Sequence, residues 1–197
     1  MNLPNKISLS RILLIPIIMF MYLATFIPYG IFIAFGLFII AAFTDMVDGH
    51  LARKLGITTK LGNLLDTLAD KLLVIATLLL VVVDGTVPAP YGVIAAFIII
   101  GRETIIIALR QVAALQGISM KADKWGKIKA AFQMIAIGAL LLLAGFYAEG
   151  LLTNTTLLFV YEIVCYSLLG IAVVLTVYSG INYLVANRHL FKEEKDT

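Results

Sequence analysis

The sequence predicts an all-α membrane protein of six transmembrane helices, and three observations carry that expectation. Of its 197 residues 61% are hydrophobic and 14% charged, and the mean hydropathy is +1.02, well above that of soluble domains. Apolar runs bounded by Gly, Pro, Asn or charge fall at 8–28, 31–54, 62–83, 91–115, 127–148 and 157–186, each long enough to cross a bilayer with some tilt. The 15 Lys and Arg residues are confined to the N-terminus, the turn of Arg53, Lys54 and Lys60, the stretch from Arg110 to Lys129, the tail and two intrahelical sites. Connections around Pro28, from Asp84 to Pro90 and from Glu149 to Thr156 hold none, so the positive-inside tendency puts both termini in the cytoplasm of a multi-pass cell-membrane protein. No repeat, low-complexity stretch or linker divides residues 1–197, which read as a single membrane domain. Membrane lipid is an expected partner and nucleic acid is not.

The first segment follows Asn5-Lys6 and Arg11, which together with the run Ile12 to Tyr22 could pass for a signal peptide. No small-residue cleavage site or soluble ectodomain follows, so a retained helix is expected. The second and third segments carry Asp45-x2-Asp48-Gly49-x2-Ala52-Arg53-x8-Gly62-x3-Asp66-x3-Asp70. The fourth contains Gly101-Arg102-Glu103-Thr104 and Arg110, and the fifth opens on Lys121 to Lys129 around Trp125. In the sixth, Cys165 is the chain's one cysteine, which excludes an internal disulfide and leaves packing as its role.

The four aspartates are the informative feature. A charged side chain near the centre of a membrane helix costs about 2.5 to 3.5 kcal/mol on insertion scales, so carboxylates there require cations. At about 100° per residue, the i,i+3 pair Asp45 and Asp48 and the i,i+4 pair Asp66 and Asp70 each fall on one helical face. Two facing pairs would form an oxygen-rich nest for hard divalent metal, in the cytoplasmic third of both helices. Gly49, Ala52 and Gly62 remove bulk along the same faces, which admits a neighbouring helix or a flat ligand. Arg53, Lys60, Thr58 and Thr59 add cationic and donor groups at the mouth, and acids with metal beside such groups suggest a diphosphate substrate.

This pattern, eight fixed positions across 26 residues, resembles the signature of the CDP-alcohol phosphatidyltransferases without a departure. The resemblance implies a six-helix bundle, usually a homodimer, that displaces CMP from a CDP-linked lipid with an alcohol. It implies two Mg2+ or Mn2+ ions on Asp45, Asp48, Asp66 and Asp70, with Asp70 as general base and Asp66 bridging the ions. Gly49, Arg53 and Thr59 would then belong to the CDP-lipid pocket, with Ala52 and Gly62 beside them. Residues Asn2 to Arg11 look like the short amphipathic lead-in of the family, whose hydroxyl and arginine positions match Ser8 and Arg11; an interfacial helix with snorkelling cations is the plainer account.

Acceptor choice is expected from the second half. An Arg inside a membrane segment faces a partner or a polar cavity, and Arg102 could simply pair with Glu103 or an aspartate. The Lys cluster could serve anionic head groups, with Trp125 as interfacial anchor. Yet Gly101-Arg102-Glu103, Leu109-Arg110 and Trp125-Gly126-Lys127-Ile128-Lys129 with Gln133 look like the bacterial phosphatidylglycerophosphate synthases, except that Ala130 stands where a threonine is expected. On that resemblance Arg102, Arg110, Lys127 and Lys129 bind the phosphate of glycerol 3-phosphate, and CDP-diacylglycerol is the donor. The rival acceptors are inositol phosphate, inositol, serine and phosphatidylglycerol. A divalent-cation transporter is the rival of another class, disfavoured because the acids gather near one face of the membrane.

Overall fold

The computed structural model describes residues 3–55, 60–115 and 124–188, with the side chains of 3–7, 45–55, 60, 61 and 63 outside the described set. The described residues form six helices and no strand: α1 (Leu3–Leu23), α2 (Gly30–Leu55), α3 (Lys60–Val83), α4 (Tyr91–Leu115), α5 (Lys124–Glu149) and α6 (Thr155–Ala186). The largest departure from the sequence reading is α1, expected at 8–28. It begins at Leu3, because Pro4 lies in the first turn where its missing N–H costs no hydrogen bond, and so the amphipathic lead-in runs unbroken into the apolar part. It stops at Leu23, after which the chain turns, with the Ile27 N–H donating to the Ala24 carbonyl over 3.0 Å ahead of Pro28.

Local chemistry sets the other ends. Gly150 follows the last residue of α5 at φ +60°, the left-handed cap that glycine takes without strain. Asn154 then caps α6, its side chain accepting from the N–H groups of Thr156 and Leu157.

In the bundle α1 packs on α2 and α3, α5 on α2, α3 and α6, and α4 on α3 and α6. Ile18, Phe38, Leu73, Leu78, Ile99, Ile137, Leu140 and Leu141 fill the interior. Glycine on α5 admits aromatic rings of α2: a Cβ at Gly145 would lie 3.0 Å from the Phe32 ring. The exterior is apolar as well, with Leu13, Phe43, Phe97 and Val174 all exposed. Such a surface suits lipid and would be an aggregation liability in water.

Among the described residues, α4, α5 and α6 are long and apolar enough to cross a membrane, while the apolar stretches of α1 and α2, Ser8–Leu23 and Gly30–Thr44, are shorter. The chain is a membrane protein. Its two ends differ in chemistry. At one end gather the connections without Lys or Arg, where the Tyr29 N–H donates to Glu149 over 2.8 Å, the Tyr22 hydroxyl donates to Asp84, and the Tyr166 hydroxyl to the Thr86 carbonyl over 2.9 Å. The opposite end holds the acidic and basic groups of interest.

Candidate active site

Helix α3 presents Asp66 and Asp70 one turn apart, with side chains 47% and 28% exposed. Each carboxylate has a cation. Arg11 of α1, 2% exposed, reaches Asp66 over 3.4 Å, and Lys71 reaches Asp70 over 2.9 Å. The requirement that intramembrane carboxylates be neutralised is therefore met in part by protein cations, and Arg11, expected at the CDP-lipid, lies against an expected metal ligand. Ser8, buried one turn earlier on α1, and Gly62, one turn before Asp66 on α3, also lie at this end. Asp45, Asp48, Gly49, Ala52 and Arg53 fall within α2, which touches α3, but their side chains lie outside the described residues, and Thr59 lies outside them altogether. Asp66 and Asp70 are partly open carboxylate oxygens at i,i+4 spacing, a donor set that fits hard divalent cations.

Beside Asp70 a cavity of about 300 Å³ lies between α3, α4, α5 and α6. Lys71, Arg102, Glu103, Arg110, Lys127 and Lys129 make up its charged lining, five cations against one carboxylate. All four cations expected to bind an acceptor phosphate are thus brought together. Arg102 donates to Glu103 over 3.2 Å and to the Ser179 hydroxyl over 3.1 Å. Its stem passes Gly180, where a Cβ would lie 3.3 Å from the Arg102 Cγ, so the absent side chain leaves the passage for it. Arg102 thus pairs with Glu103 and also lines the cavity. Arg110 is fixed by Tyr183, which accepts from its Nε over 3.1 Å and lies 5.5 Å below the guanidinium. Lys127 is exposed, whereas Lys129 is 1% exposed and gives its ammonium to Glu103. Ala130 also lines the cavity, with no hydroxyl to offer there.

Sequence reading assigns Lys71 no role in this site and expects Glu103 only as one candidate partner of Arg102, which it is. Lys71 links Asp70 to Glu103, at 2.9 Å and 2.5 Å, and Glu103, 4% exposed, accepts from Lys71, Lys129 and Arg102. The available signal was that Lys71 and Glu103 are ionisable groups inside apolar runs, which face partners as a rule.

Residues 1–181 match the family described as CDP-alcohol phosphatidyltransferase. Similar chains include the CDP-diacylglycerol--glycerol-3-phosphate 3-phosphatidyltransferase of Bacillus subtilis, 45% identical over 152 residues that cover 72% of this chain and 77% of that one. The enzyme of the same name from Haemophilus influenzae is 38% identical over 187 residues, covering 93% of this chain and 91% of its own. That of Rickettsia felis is 32% identical over 192 residues, covering 96% and 97%.

Proposed function

We propose that this chain, which belongs to the CDP-alcohol phosphatidyltransferase family, transfers the phosphatidyl group of CDP-diacylglycerol to sn-glycerol 3-phosphate, giving phosphatidylglycerophosphate and CMP. The names of the Bacillus subtilis and Haemophilus influenzae relatives support the two substrates. One observation carries the reading to this chain: a cavity with five cations, sized for a small anion, adjoins Asp70.

Arg102, Arg110 and Lys127 hold the phosphate of the acceptor, and Lys129 backs them. A dianion in a partly sealed site needs charge-assisted donors of this kind. With its phosphate there, the primary hydroxyl points toward Asp70. Asp70 takes the hydroxyl proton; the oxygen bonds to the phosphorus next to the diacylglycerol, and the bond from that phosphorus to the bridging oxygen breaks, releasing CMP. Two divalent ions, Mg2+ or Mn2+, on Asp45, Asp48, Asp66 and Asp70 would neutralise the diphosphate and stabilise the leaving phosphate. Arg53, Thr59 and Gly49 bind the CDP-lipid, with Ala52, Gly62, Ser8 and Arg11 shaping its surroundings.

The same reading includes six membrane spans, a single domain over residues 1–197, a homodimer, and a site and termini facing the cytoplasm. Support for the orientation comes from the segregation of Lys and Arg to one end of the bundle. The test is acceptor use by purified protein in mixed micelles with CDP-diacylglycerol. Radiolabelled glycerol 3-phosphate should enter lipid with equimolar CMP, and chelation of divalent ions should stop both until Mg2+ or Mn2+ is restored. Incorporation of inositol phosphate, inositol or serine in its place would overturn the acceptor, and full activity after exhaustive chelation would overturn the metals.

A further inference from the structure

Glu103 takes no part in the reaction as described, and a carboxylate on the wall of a cavity meant for a dianion repels its occupant. Its position needs another account. One oxygen accepts from Lys71 of α3 over 2.5 Å, and the other accepts from Lys129 of α5 and from Arg102 over 3.2 Å. Lys71 continues to Asp70 over 2.9 Å, and Arg102 continues to Ser179 of α6 over 3.1 Å. A single buried carboxylate thereby joins four helices and connects the proposed base to the proposed phosphate-binding wall.

Burial of an ion this deep costs several kcal/mol unless its hydrogen-bonding capacity is met, and here cations meet it from both sides. Those contacts fix geometry, because an ammonium shared between two carboxylates and a second ammonium held at 1% exposure have little room to move. They also sort the cations. Lys71 and Lys129 are committed to Glu103, while Arg110, on Tyr183, and the exposed Lys127 remain directed to the cavity.

We propose that Glu103 is a positioning residue that sets the distance between Asp70 and the acceptor's phosphate site, and so selects acceptors by the spacing of hydroxyl and phosphate. This rests on the reaction assigned above. Through Lys71 the carboxylate holds one end of that span, and through Lys129 and Arg102 it holds the other. A three-carbon monophosphate is bound productively because the span is fixed at its length; without the bridge the two ends separate independently and the selection relaxes.

The test compares Glu103→Gln, Glu103→Asp and the double variant Glu103→Gln with Lys129→Gln against the unchanged protein. Each is given CDP-diacylglycerol with glycerol 3-phosphate, then with the monophosphates of two-, three- and four-carbon diols, and melting in detergent is followed alongside. Partners one step removed from reacting groups typically matter by about 10- to 100-fold, so Glu103→Gln is expected to raise the KM for glycerol 3-phosphate by about that factor. The KM for CDP-diacylglycerol should stay within about twofold, and the preference for three carbons over four should fall toward unity. Glu103→Asp keeps the charge on a shorter stem and should retain part of the selectivity. The double variant removes the ammonium that Gln would orphan, and because Lys129 itself backs the phosphate site it is read against Lys129→Gln alone: a further fall in the three-to-four preference reports on Glu103 even where Glu103→Gln by itself does not fold, and no further fall overturns the inference. A folded variant with an unchanged three-to-four preference would overturn the inference, and so would KM values for both substrates rising together with a lowered melting temperature. If the unchanged protein releases no CMP with any of these acceptors, the reaction itself is wrong and the inference falls with it.

Discussion

At the residue scale the site is a problem in charge. Asp66 and Asp70 lie on a largely apolar helix, and each is met by a cation from the protein itself. Asn has nearly the size and shape of Asp, and Lys71 keeps Glu103 as a partner, so Asp70 can lose its charge without leaving a hole in the packing. Asp70→Asn is therefore expected to keep the fold and CDP-diacylglycerol binding while lowering turnover by about 10² to 10⁴-fold, the usual contribution of a general base. CMP release and binding of the CDP-lipid, measured on the same preparation, check this. Arg110→Ala acts elsewhere: Tyr183 loses its guanidinium, the acceptor loses a charged donor, and the KM for glycerol 3-phosphate should rise about tenfold or more with little change for the lipid substrate. Equal effects on both substrates would remove Arg110 from the acceptor site. The sequence made Asp66, Asp70, Arg102 and Arg110 legible because each departs from an apolar background at a helical spacing. Lys71 had no assigned role, and Glu103 only that of a partner to Arg102, because the bridge between them joins two helices at positions 32 residues apart, and a local pattern marks an ionisable group without naming its distant partner.

At the element scale, helix interiors were readable and helix ends less so. The apolar run at 91–115 coincides with α4, bounded in the sequence by Pro90 and by Gln116-Gly117, whereas α1 begins and ends five residues earlier than expected, where the first-turn Pro4 and the turn after Leu23 set its ends. Glycines show the same division between pattern and packing. Gly36 and Gly30 both belong to α2, but a Cβ at Gly36 meets nothing within 4 Å while one at Gly30 would sit 2.5 Å from the Met21 carbonyl oxygen of α1. Gly36→Ala should be neutral or gain up to about 1 kcal/mol from helix propensity. Gly30→Ala forces a backbone atom aside and should cost about 1 to 3 kcal/mol, as overpacking does elsewhere. Thermal melting in detergent reads the contrast, and equal melting temperatures for the two variants would contradict the close α1–α2 approach.

At the scale of the whole molecule the bundle is polar by ends. Tyr22, Asp84, Glu149 and Thr86 knit together the connections that lack Lys and Arg, while the cavity, its cations and the aspartates of α3 lie at the other end. An asymmetry of this kind fixes orientation, since basic connections resist translocation across the membrane. On the proposed function it also serves the reaction, because a water-soluble acceptor would have to reach the cationic cavity from the side where it is made. Cysteine labelling tests the orientation with little background, as Cys165 is buried. Thr153→Cys, exposed between α5 and α6, should react with a membrane-impermeant maleimide in intact cells. Lys124→Cys, exposed at the start of α5 beside the cavity, should react only after the cells are opened. The reverse pattern would turn the molecule over in the membrane and put the acceptor cavity outside the cell. Since both positions lie outside the proposed catalytic groups, turnover measured on the labelled protein also separates a misplaced site from a misfolded one.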